Sequence, residues 1–198
     1  MAEIRSTMDM VLERAARMEA EAGDTPNNDE KIQAGMKTAA LYMRGEHIDL
    51  ADFLSNCSDN DRPFEQKGIV KAFLRNIILP REEDDQAGSN RAMQGLLEVG
   101  QGVEDLLSLF SDMKSILDRY IEHKAQLKQQ LEEQFAQQIE MMEQNMAQQT
   151  GVSMKLEPAQ HPKFAEEWQK LNGQLNEQYG QALAQYKEQV EQRLGIIA

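Results

Sequence analysis

The residues of this chain best suited to hold a metal or attack an electrophile are three histidines, His47, His123 and His161, and one cysteine, Cys57. A zinc or iron site needs several such groups converging, with at least two ligands a few positions apart on one loop or helical turn. Here each histidine falls in a different segment, and neither a Cys-x-x-Cys nor a Glu-x-x-His spacing occurs, which removes the zinc-ribbon and di-iron bundle patterns. Cys57 has Asp59 and Asp61 beside it and no nearby histidine, so its thiol is expected to stay protonated and inert. The acidic stretch from Asn56 to Lys67 lacks the central glycine and closing glutamate of a calcium loop. Gly100-Gln-Gly102 follows no strand pattern and lacks the third glycine of a dinucleotide fingerprint. Carboxylate pairs such as Glu132-Glu133 and Glu166-Glu167 are adjacent on helical patterns and point to different parts of the surface. No catalytic residue, cofactor site or metal site is therefore expected, and the chain reads as a non-enzyme.

Charge narrows the partners. A formal net charge of −13 argues against nucleic acid and anionic lipid, both of which call for clustered lysine and arginine. A lone cysteine excludes an intrachain disulfide framework and fits a reducing compartment. The opening residues lack the basic-then-apolar pattern of a secretion signal, and no window approaches the length of an apolar membrane span. The expected location is the cytoplasm, with no membrane association.

What remains is helix. Ile4, Met8, Val11, Leu12, Ala15 and Met18 recur at steps of three and four and predict an amphipathic helix over 2–21. A second helix is expected from a cap at Asn28 or Asp29 to about Gly45, a short third from Ile48 to Leu54, and a fourth through Phe64, Ile69, Val70, Phe73, Leu74, Ile77 and Ile78, ended by Pro80. The charged run 81–90 reads as a linker with a capping residue at its end.

From near Ser89 to near Gln149 a single pattern of about sixty residues predicts one helix of roughly 90 Å, followed by a loop and a return helix of roughly 50 Å. The apolar stripe is wide at first, through Leu96, Leu97, Val103, Leu106, Leu107, Phe110, Met113, Ile116, Leu117, Tyr120 and Ile121, which suits packing among several helices. It then narrows to Leu127, Leu131, Phe135 and Ile139, continued by Met142 and Met146, which suits one partner helix. The return helix answers with Phe164, Trp168, Leu171, Leu175, Tyr179, Ala182, Tyr186, Val190 and Leu194. The expected seam is thus Leu127, Leu131, Phe135, Ile139, Phe164, Trp168, Leu171, Leu175 and Tyr186. Steps of four lift the period above 3.5, so a nearly straight pair is expected. Gly173 and Gly180 each cost about 1 kcal/mol inside a helix, and close backbone approach would compensate.

The hairpin tip, over 150–161, is longer than a helix turn requires and carries alternating Val152, Met154 and Leu156. With Met141, Met142 and Met146 these form the expected partner-binding surface, because polarizable, unbranched side chains adapt to varied contacts.

The opening Ala-Glu-Ile-Arg-Ser-Thr-Met-Asp-Met-Val-Leu-Glu-Arg and the segment Leu74-Arg-Asn-Ile-Ile-Leu-Pro80 resemble a family of small, uncharacterised bacterial all-helical proteins. That resemblance implies a bacterial, cytoplasmic chain and brings no functional residue with it.

The expectation is an all-α protein: an N-terminal helical bundle head carrying a long antiparallel coiled-coil hairpin arm. Residues 1–80 form the head helices, 81–90 the linker, 91–118 the base of the long helix packing on the head, and 119–198 the arm. Such a chain would act as a protein–protein interaction adaptor or scaffold, with a chaperone-like clamp as a variant, and its partner would be another protein or a second copy of itself. The alternative is a helical enzyme or small-ligand binder with a site in the head, between the helix ending at Pro80 and the stripe beginning at Leu96.

Overall fold

The computed structural model describes residues 25–81, 86–150 and 162–196. Among them are six helices and no strand: α1 (Thr25–Met43), α2 (Leu50–Ser55), α3 (Arg62–Asn76), α4 (Ala87–Val99), α5 (Leu106–Thr150) and α6 (Pro162–Arg193). The fold is all-α. The helix expected over 2–21 and the tip residues 151–161 lie outside the described residues. The chain divides into two compact units, one taking the described chain up to Ile77 together with Arg91–Gly102 and the end from Gly195, the other taking Ile78–Asn90 together with Val103–Leu194. The stretch 91–118 is therefore split at Gly102.

In the first unit α1 begins three residues earlier than the expected cap, because Pro26 suits a first helical turn, where its missing N–H costs nothing. Helices α1 and α3 cross at backbone contact. A Cβ added at Gly35 would fall on the carbonyl oxygen of Glu65, and one added at Gly68 would fall on that of Ile32. Around this crossing Ala39, Ile69, Val70, Phe73, Leu74 and Ile77 are buried, joined by Leu50 and Leu54 of α2. Asp49 caps α2 by accepting the Asp52 N–H at 2.9 Å. Helix α3 ends at Asn76, short of the expected Ile78, with Ile77 extended at φ −86° and ψ 96°. Pro80 disfavours helix in the residue before it, so the chain straightens on approach. Ile77 stays buried, whereas Ile78 is 52% exposed and leaves the expected stripe.

Helix α4 closes this core. Gly95 lies against the Phe73 ring, where an added Cβ would meet ring carbons at 2.5–3.1 Å, and Tyr42 packs its edge on the same ring at 5.5 Å between centroids. The Tyr42 hydroxyl donates to Glu98 at 2.7 Å, and Arg91 donates to the Met43 carbonyl at 2.9 Å, satisfying an acceptor at the end of α1.

The single helix expected from Ser89 to Gln149 is instead two, with a turn over residues 100–105. Gly102 has φ +85° and Asp105 φ +69°, values a helix cannot hold. Gly100 and Gly102 weaken helix within three positions, and Asp is one of the few residues to enter the left-handed region readily. The apolar stripe carries on through the break, which is why the periodicity reads as continuous.

In the second unit α5, of 45 residues, and α6, of 32, pack side by side. The segment before α4 is tied to α5: Lys124 donates to the Arg81 carbonyl at 2.7 Å and Gln86 donates to Asp118 at 3.0 Å. The buried Ser89 hydroxyl accepts the Ile78 N–H at 3.3 Å, closing the turn around the buried Pro80. Leu106, Leu109, Phe110, Met113, Leu117 and Tyr120 are buried, but Leu107 is 72% exposed and does not belong to the wide stripe. One residue turns a helix by about 100°, so Leu106 and Leu107 cannot share a narrow face.

Candidate functional site

The second unit is built on the α5–α6 pair, and its contacts fix its direction. Asp105 pairs with Arg193 at 3.1 Å, Tyr120 donates its hydroxyl to Asn176 at 2.7 Å, and Phe135 meets Phe164 edge-on at 5.5 Å. Residue numbers rise on α5 as they fall on α6, so the helices run antiparallel. Between the ends lies an aromatic node in which Tyr120 and Tyr179 pack at 5.5 Å and 70°, and the Tyr179 hydroxyl lies 3.4 Å from His123 Nδ1. Burial of its ring pushes the Tyr120 phenol above its ordinary range.

Each expected seam residue can now be placed. Leu131, Phe135, Ile139, Phe164 and Leu175 are buried; Leu127, Trp168, Leu171 and Tyr186 are partly buried. Leu131, Phe135 and Phe164 form one cluster against which Trp168 and Leu171 pack. Leu183 is buried as well, although Ala182 fits the step-of-four pattern better. Gly173 and Gly180 do not serve a close approach between the helices, since an added Cβ at either would meet nothing within 4 Å. Asn172 carries a buried side-chain oxygen with no hydrogen-bond partner among the described residues.

Of the expected partner-binding residues, Met141 is 57% exposed. The side chains of Met142 and Met146, and all of Val152, Met154 and Leu156, lie outside the described residues. Beside the seam runs a groove of about 700 Å³, with glutamines of α5 on one wall and charged residues of α6 on the other.

A second feature lies in the first unit. Lys31 of α1 pairs with Asp61 at the start of α3 at 3.0 Å, an ion pair that raises the lysine pKa and, with a hydrogen bond from Ser58, lowers that of the aspartate. Beside it the Cys57 thiol donates to the Glu65 carboxylate, a group 8% exposed, and lies 3.1 Å from the Phe53 carbonyl. Burial, followed by the Glu65 hydrogen bond and charge, pushes the thiol up to about 11. The expected direction holds, but the cause is chiefly desolvation and Glu65, eight residues away, with Asp61 the least of the contributions. These groups line a groove of about 590 Å³ that also includes His47, Asp49 and Asp52. Among the described residues no three metal-ligating side chains converge, and no helix is long and apolar enough to cross a membrane.

No curated protein and no solved structure matches this chain. One family model does, over residues 51–192, a span that includes Leu74–Pro80 but not the opening segment. On that match the chain belongs to a family of unknown function, DUF6657.

Proposed function

We propose that this protein is a non-catalytic interaction adaptor, cytoplasmic, that engages a protein partner through the far end of the α5–α6 pair. The observation that carries this reading is Met141, 57% exposed two residues beyond the buried Ile139 and past the Phe135–Phe164 layer. An exposed, adaptable side chain at the end of a rigid helix pair suits a contact surface, and Met142, Met146, Val152, Met154 and Leu156 would extend it. In this reading residues 119–198 act as a coiled-coil arm and the preceding helices as its base. A clamp that holds unfolded segments is the chaperone-like form of the same mechanism. The test is an affinity pull-down from the native host, comparing the full chain with one in which residues 140–165 are replaced by a short turn. A stoichiometric protein recovered only with the full chain supports the adaptor; equal recovery with both refutes it.

The groove over Lys31, Cys57 and Glu65 favours a second reading, a small-ligand site in the head. Under it, a small molecule would raise the melting temperature of the full chain, and Asp61→Asn would abolish that shift while the tip replacement would leave it intact.

A further inference from the structure

We propose that a second copy of this chain covers the groove beside the α5–α6 seam, the two copies related by a twofold axis so that the α6 wall of each faces the α5 wall of the other. The inference rests on the arm being an interaction element and goes further by naming the surface and its occupant. Two packed helices bury only the stripes that face each other. Leu127 and Leu171 therefore remain partly open along the groove floor, above the buried Leu131 and Phe135. A second pair laid alongside would turn a two-helix seam into a four-helix core, which buries such flanks from both sides.

The walls say which pair fits. On α5 they are carboxamides, Gln130, Gln134 and Gln138; on α6 they are two carboxylates, Glu166 and Glu167, beside the Lys163 ammonium, so that wall is acidic by one charge. The five glutamine and glutamate side chains are exposed, and among the described residues none of them makes a hydrogen bond or ion pair within its own chain. An α5 wall offers N–H donors and an α6 wall offers charged acceptors, so each copy carries the complement of what it presents. Charge points the same way. A chain of net charge −13 repels its own kind over most of its surface, but here acid would face neutral amide and not acid. A twofold axis satisfies both walls at once, as an isologous interface requires.

The experiment is sedimentation equilibrium of the full chain up to about 200 µM, a range that captures micromolar association. The native chain is expected to dimerise. Gln130→Glu with Gln134→Glu sets acid against acid and is expected to weaken the dimer by at least tenfold, roughly 1.4 kcal/mol. Adding Glu166→Gln and Glu167→Gln to that variant is expected to restore it. All four positions are exposed, so circular dichroism should show unchanged helicity. A native chain that stays monomeric, or a dimer that the paired glutamates leave untouched, overturns the proposal. Neither result touches the adaptor reading, which the tip replacement scores separately.

Discussion

Gly68 of α3 sits against the backbone carbonyl of Ile32 in α1, and the contact is reciprocated three residues along each helix, where Gly35 faces the carbonyl of Glu65. Two helices come this close only where side chains are missing on both. The crossing sets backbone against backbone, with the buried side chains of Ala39, Ile69, Val70 and Phe73 packed around it.

A methyl group at Gly35 or Gly68 has backbone on its far side, which cannot turn away as a side chain could. Gly68→Ala and Gly35→Ala are each expected to destabilise the chain by about 1–3 kcal/mol in urea unfolding. Gly173→Ala and Gly180→Ala should do the reverse, adding up to about 1 kcal/mol each, because open space surrounds both positions and alanine favours helix. Equal effects at all four glycines would contradict the crossing.

The Cys57 thiol, raised from 9.0 to about 11, should resist alkylation at pH 8 in the folded chain. Two pH units lower the thiolate fraction on the order of a hundredfold relative to the unfolded chain, and iodoacetamide labelling with and without urea measures the ratio. Because the folded state holds this proton more tightly, the stability it supplies is whole below about pH 9 and fades as pH rises toward 11. Glu65→Gln should speed the labelling, since it removes the charged acceptor.

Tyr120→Phe removes the 2.7 Å bond to Asn176 while keeping the ring contact with Tyr179. Asn176 is exposed and regains water, so the expected loss is about 1 kcal/mol, near the ordinary net value of such a bond. A loss above about 3 kcal/mol in thermal unfolding would show that the hydroxyl does more than bridge the two helices.

Asn172→Leu is expected to be neutral or to stabilise by about 1 kcal/mol, because a buried oxygen with no partner is replaced by apolar atoms of similar volume. Marked destabilisation in the same urea assay would mean that the Asn172 oxygen does have a hydrogen-bond partner in the folded protein.

Much of the fold is legible in the residue pattern because local periodicity reports which face of a helix is covered. The seam from Leu127 to Ile139 and its answer from Phe164 to Tyr186 follow from steps of three and four alone. Four things escape such a reading. Gly35 and Gly68 look like weak points in their helices, and only the crossing of segments thirty residues apart shows that they are its condition. The turn at Gly100–Asp105 hides inside a stripe that continues on both sides, since periodicity registers faces and not the path between them. The Cys57–Glu65 bond joins a loop to a helix, and no spacing rule anticipates it. The groove was likewise invisible, because its glutamines look like a neutral helix face until α6 is laid beside them.

The antiparallel register has a bearing on how the chain comes to order during its synthesis. Sequence separation across the pair is 56 at Tyr120–Asn176 and 88 at Asp105–Arg193, and it is smaller still at Phe135–Phe164. Loop-closure entropy grows with that separation, so the Phe135 end should close first, as soon as the opening turns of α6 leave the ribosome, and the remainder should zip toward Arg193. Stopped-flow kinetics would then find Phe135→Ala slowing folding and Arg193→Ala chiefly hastening unfolding. The end of the pair that carries Met141 would be the first to form.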